Sequence, residues 1–330
     1  MSPQSQSFRP LPIHVDAAHN RRQRSIGFVC AALGAMLFSL KAIFIKFAYG
    51  VSPDLDSPTL LAIRMGIAVP LYGLIAYWAL RRMGTRRSSL NSKHIIASAF
   101  IGLIGYYLAA MFDFSGLQLI TAQLERLILF TYPLWIMVLG ALFFGKRMTL
   151  KGVFAMFIAY CGIALIFVRG SIAVGDNVVL GSLFIFAAAL SFAIFQLLAT
   201  KQIKFLGSAL FTCVAMISAG GGVLTHFIVQ SALSGSFSRI TNQPSEIWLL
   251  GAAIAVLSTL IPSFLVNIAL GRIGAQAVSV VGMISPLITV VLAVTLLDEP
   301  FGLVDGLGTA LTILGIGLFT WYERGTKFEN

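Results

Sequence analysis

Along the chain, runs of about twenty apolar residues alternate with short polar connections, and no stretch of strict apolar-polar alternation interrupts them. A helix needs about 20 apolar residues to cross the hydrocarbon of a bilayer. Ten segments qualify, at 26–48, 58–80, 94–116, 120–144, 152–168, 179–200, 208–230, 246–269, 275–297 and 302–321. The pattern therefore predicts an all-α membrane protein of ten transmembrane helices. The longest connection is about fifteen residues, far below the ~50 residues of a small domain.

Composition agrees with this pattern. Of the 330 residues 58% are hydrophobic and 11% charged, with mean hydropathy +0.91, whereas soluble domains carry roughly a quarter charged residues. The net charge of +11 does not point to nucleic acid, because the basic residues sit in short segments between apolar runs and not on one face of a folded domain. Residues 1–25 are polar and read as a disordered cytoplasmic tail, and residues 322–330 as a second one. The apolar run after the first tail, about 22 residues, exceeds the roughly 7 to 15 of a signal-peptide core, so no cleavage is expected.

Lys and Arg also orient the chain. Seventeen of the 23 fall on the side that holds the N-terminal tail, in segments such as Arg81 to Lys93, Lys146 to Lys151 and Lys201 to Lys204, while Arg169 and Arg239 fall opposite. Both termini are expected on the cytoplasmic side of an inner (plasma) membrane crossed many times. Cys30, Cys161 and Cys213 lie inside separate spans with no His or Cys neighbour, which predicts small packing residues and no metal centre or cofactor.

The chain also repeats itself. At an offset of 153, Ala122-Gln123 falls on Ala275-Gln276, Pro133-Leu134 on Pro286-Leu287 and Gly162-Ile163 on Gly315-Ile316, while Ser39 to Phe44 matches Ser191 to Phe195 after a one-residue gap. Two five-span halves, 26–168 and 179–321, follow. Because five is odd, the second half enters the membrane inverted, an arrangement characteristic of secondary transporters with a site at the repeat interface.

These features resemble an EamA-type member of the drug/metabolite transporter superfamily over about residues 26–321. The likeness is carried by Lys46 late in the first span, Arg64 and Ala68 early in the second, the two Pro-Leu steps, the Leu-Asp-Glu-Pro connection at Leu297 to Pro300, and the Gly-Ile runs at Gly162 and Gly315. It implies two inverted five-helix repeats, a central cavity lined by the first, third, fourth, sixth, eighth and ninth helices, and export or exchange of small metabolites without enzymatic chemistry. Family members carry a Glu after the fourth span as after the ninth; here Glu299 has Lys146 as its counterpart.

Charges inside the spans mark the candidate site, since an ionised side chain at bilayer depth costs at least about 2.5 kcal/mol and usually faces a cavity or a partner. At ~1.5 Å rise per residue, Lys41, Arg64, Asp113, Glu125 and Arg126 lie roughly 6 to 12 Å below the outer ends of their spans, in one layer. Three cations face two anions there, so the layer predicts a carboxylate-bearing cargo, most simply an amino acid or related organic anion. Lys41 or Arg126 would hold the anion, and Glu125 is available for an ammonium group or a coupling proton. Sugars, nucleotide sugars or drug-like cations are the alternative cargo on the same fold.

An Asp113–Arg126 pair clamping the bend between spans three and four is the structural alternative for those charges, and Lys41 has no partner nearby in sequence. Tyr106, Gln123, Gln196, Asn267 and Gln276 are candidate cavity lining, with Gln123 and Gln276 facing each other across the pseudo-axis. Pro133 and Pro286 are candidate paired hinges, because each proline frees a backbone carbonyl one turn earlier. Lys46 is expected to reach the headgroups. The many glycines of spans five and ten suit close helix packing, as internal support or as a homodimer surface.

Overall fold

The computed structural model describes residues 17–83, 91–144, 149–174, 177–235, 237–282 and 284–323. Among them every regular element is helical. The spans are α1 (Ala17–Val51), α2 (Ser57–Met83), α3 (Ser92–Leu119), α4 (Ala122–Phe143), α5 (Leu150–Val174), α6 (Asn177–Leu206), α7 (Ser208–Ser234), α8 (Ser245–Ala275), α9 (Ala277–Leu296) and α10 (Leu303–Glu323). Nine of these described helices are long and apolar enough to cross a membrane, and α10 contains a shorter apolar stretch. Their outer faces are apolar, with Trp78, Trp248 and Trp321 exposed near span ends, where amphipathic rings favour the interface.

The helices form two inverted five-helix repeats, and their contacts map onto themselves when the repeats are exchanged. α1 packs on α8 as α6 packs on α3; α1 meets α9 as α6 meets α4; α2 meets α8 as α7 meets α3. The pairs α2–α7 and α5–α10 sit on the pseudo-axis and map onto themselves.

Local irregularities repeat as well. α3 widens into a π turn at Leu103–Leu108, and α8 does so at Val256–Leu260, which is the same place at the offset of 153. In α8 the cause is visible: Pro262 has no N–H to give to the carbonyl of Ser258. α4 breaks at Phe130–Thr131, just before Pro133, where Thr131 closes a tight turn by donating its N–H to the Ile128 carbonyl at 3.0 Å. Pro286 holds the equivalent position in α9.

Between α5 and α10 the glycine faces meet each other: a Cβ on Gly162 would come within 2.5 Å of the Gly308 carbonyl, and one on Gly315 within 2.3 Å of the Ala159 nitrogen. Those glycines are therefore taken up by packing inside the chain. α5 and α10 stand to one side, and the other eight helices enclose the core.

Candidate functional site

A cavity of about 130 Å³ opens between the repeats. Its wall comes from α1, α3, α4, α6, α8 and α9, with Arg64 added from α2 and Met216 from α7. Positions equivalent at the repeat offset recur on it: Gly105 with Ser258, Tyr106 with Thr259, Ala110 with Ser263, Asp113 with Val266, Leu129 with Gly282, and Tyr132 with Ser285. Both π turns thus face the cavity, as such turns often do at sites of function.

Four of the five charged candidates line this cavity: Lys41, Arg64, Asp113 and Arg126. Their pairing differs from the Asp113–Arg126 clamp. Lys41 reaches across from α1 to Asp113 on α3, Nζ to Oδ2 2.5 Å. Arg126 instead approaches Glu125, Nε to Oε2 3.6 Å, and donates from Nη2 to the carbonyl of Phe38 at 2.9 Å. Sequence proximity favoured the α3–α4 partner, but α1 supplies the nearer ones, Lys41 to Asp113 and the Phe38 carbonyl to Arg126. Glu125 itself is fully buried behind the wall, close enough to Asp113 for the two carboxyls to feel each other's charge. A lone buried carboxylate is costly, and this cluster of two acids and two bases is how the cost is met.

The polar candidates divide. Tyr106 and Gln196 line the cavity. Asn267 lies deeper, donating to the Tyr106 hydroxyl at 3.1 Å and to Thr212 at 2.9 Å, so it holds the tyrosine in place and does not face the cavity. Gln123 is also away from the cavity, its amide directed to the Pro300 carbonyl at 3.5 Å; the side chain of Gln276 lies outside those described. Pro133 and Pro286 do not line the cavity, and Pro133 follows the break already noted in α4.

Glu299 explains the position of Gln123. From the connection between α9 and α10, its carboxylate accepts the N–H of Ala122 at 2.7 Å and of Gln123 at 3.2 Å, capping the first turn of α4. Helix N-termini leave such donors free, and an anion there is favoured by the helix dipole. Lys46 is half-buried, within electrostatic reach of Glu299 and Glu125. The position equivalent to Glu299 in the first repeat, Lys146, lies outside the described residues.

Ser258, Thr259, Ser263 and Ser285 line the cavity and were not singled out from sequence. Hydroxyls are common inside helices, and only the offset that links them to Gly105, Tyr106, Ala110 and Tyr132 could have found them. Cys30, Cys161 and Cys213 are unpaired, and among the described residues no three His, Cys, Asp or Glu side chains gather as metal ligands would.

The model of the EamA-like transporter family matches residues 25–168 and again 179–321. The chain belongs to this family. It is 26% identical over 289 residues to the uncharacterized transporter YcbK of Bacillus subtilis, covering 87% of this chain and 90% of that protein. An uncharacterized transporter of Methanothermobacter thermautotrophicus is 25% identical over 248 residues, covering 74% of this chain and 69% of that one. In fold, the EamA-like chain also matches a crystal structure with a TM-score of 0.61 at 16% identity, covering 91% of this chain and 98% of the other. It is a multi-pass membrane transporter of small molecules.

Proposed function

We propose that this transporter moves amino acids or related organic anions by alternating access, exporting them across an inner (plasma) membrane with both chain termini on the cytoplasmic side. One observation carries the cargo class: three cations, Lys41, Arg64 and Arg126, reach the cavity, whereas Asp113 is the sole acid on its described wall and Glu125 lies behind it. The excess charge is positive. Size supports a small cargo, since an apolar cavity of about 150 Å³ holds a molecule like benzene and this one measures about 130 Å³.

Asp113 and Glu125, near each other and flanked by Lys41 and Arg126, fit a unit that takes up and releases one proton in a coupling role. Pro133, beside the break in α4, and Pro286, its equivalent in α9, fit paired hinges for the exchange between outward and inward states.

The test is counterflow in liposomes containing the purified protein, with labelled amino acids, dicarboxylates, sugars and a drug-like cation as separate cargoes. Saturable exchange of an amino acid or organic anion is the expected result. Exchange confined to sugars, nucleotide sugars or the cation would overturn this reading. In the same liposomes a Glu125→Gln variant is expected to keep exchange and lose its stimulation by an imposed pH gradient; unchanged stimulation removes the coupling role.

A further inference from the structure

Of the three cations at the cavity, two are already engaged. Lys41 is held by Asp113, and Arg126 by Glu125 and the Phe38 carbonyl. Arg64 differs: among the described residues its guanidinium has no carboxylate and no hydrogen-bond acceptor, and it rests on the face of Phe114, 5.3 Å from the ring centre. It is nevertheless only 4% exposed, with Nε unbonded. A guanidinium N–H removed from water without an acceptor is expensive, because the donor loses its partner.

On the wall of the same cavity, the π turn of α8 presents a second set of unused donors. The hydroxyls of Ser258 and Thr259 are both more than nine-tenths buried, both unbonded, and both on residues lining the same cavity as Arg64. α2 and α8 are in contact along this wall. Ile63, next to Arg64, packs against Gly251, and Tyr72, two turns along α2, donates its hydroxyl to the Thr259 carbonyl at 3.2 Å. The Tyr72 bond occupies the backbone and leaves the Thr259 hydroxyl free.

The same cavity is therefore lined by a forked cation and two hydroxyls for which no hydrogen bond to a protein acceptor is found among the described residues. The missing group is planar, anionic and made of acceptors alone, which describes a carboxylate bound side-on by the guanidinium fork. We propose that Arg64, completed by Ser258 and Thr259, is the seat of the substrate carboxylate, and that Lys41 and Arg126 serve the acid pair instead. The assignment rests on the organic-anion reading above and refines it, since Lys41 and Arg126 are the anion holders that the sequence favours.

The experiment uses acetate, the smallest carboxylate probe carrying a methyl group, and acetamide, its neutral counterpart, in thermal-shift titrations of purified full-length protein at constant ionic strength and pH. Acetate is expected to raise the apparent Tm of the wild type in a saturable way, and acetamide is not. Arg64→Gln should abolish the acetate response; Arg64→Lys and the double variant Ser258→Ala with Thr259→Val should each weaken it by about 10- to 100-fold, the range for hydrogen bonds to a charged group.

Undiminished acetate response in Arg64→Gln, or loss of response in Arg126→Gln with Arg64→Gln unaffected, overturns the assignment while leaving organic-anion transport standing. If Arg64→Gln does not fold, wild-type affinity in both Arg64→Lys and the hydroxyl variant overturns it equally. A wild type that responds neither to acetate nor to any of the twenty amino acids overturns the organic-anion reading and the seat together.

Discussion

The two repeats build the same half of a cavity from different chemistry. In the first, the wall carries Lys41, Asp113 and Arg126 with Glu125 behind; at the positions equivalent to Asp113, Arg126 and Glu125 the second has Val266, Ser279 and Val278. In return the second repeat supplies small hydroxyls, Ser258, Thr259, Ser263 and Ser285, where the first has Gly105, Tyr106, Ala110 and Tyr132. The helix paths and the π turns are shared. Symmetry thus resides in the backbone, where packing and alternating access need it, and asymmetry in the side chains, where a small asymmetric cargo needs distinct partners.

The largest effect should come from disturbing the charged half. Lys41→Met leaves Asp113 and Glu125 with Arg126 alone, and breaking a buried ion pair from one side costs about 3–5 kcal/mol. A large fall in apparent Tm is expected, with the double variant Lys41→Met and Asp113→Leu recovering most of it. Val266→Asp, which places the same carboxyl in the second repeat without a partner lysine, should lose a comparable amount. If Val266→Asp is tolerated, the second repeat is not the uncharged half described.

The scaffold should respond symmetrically. Gly162→Ala and Gly315→Ala each push a methyl into the facing backbone of the α5–α10 contact, and overpacking of this kind costs about 1–3 kcal/mol. Equal losses of Tm are expected for the two, while Gly66→Ala, which meets nothing within 4 Å, should change it little. Unequal losses would mean that α5 and α10 do not share the pseudo-axis evenly.

The smallest effect lies at the Glu299 cap, which ties the second repeat to α4 of the first. Glu299→Ala removes an acceptor from the Ala122 and Gln123 N–H groups and should cost about 0.5–2 kcal/mol, as loss of an N-cap does. Glu299→Gln, which keeps one acceptor oxygen, should recover part of the Tm. Equal Tm in Glu299→Ala and wild type would show that the cap contributes nothing to joining the repeats.

Much of this was legible before folding. Span number and the inverted repeat followed from the length of apolar runs and from one offset, because a helix across a bilayer satisfies its own backbone and leaves its signature in local sequence. The layer of intramembrane charge was legible for the same reason, since a charged residue in an apolar run stands out wherever it points.

Which charges pair, and which stay free, was decided only in three dimensions. Lys41 and Asp113 are separated by 72 positions in sequence, yet meet at 2.5 Å because α1 packs against α3. Arg126, closer to Asp113 in sequence, is taken up by Glu125 and the Phe38 carbonyl of α1, and Gln123 is drawn to the α9–α10 connection by the Glu299 cap. Arg64 is set apart by what does not reach it, and the hydroxyls of Ser258 and Thr259 by a π turn whose register faces them inward. Depth in the membrane is a one-dimensional property that the chain carries in its order. Partnership depends on the angle at which helices cross, and that angle is fixed by packing between segments far apart in sequence.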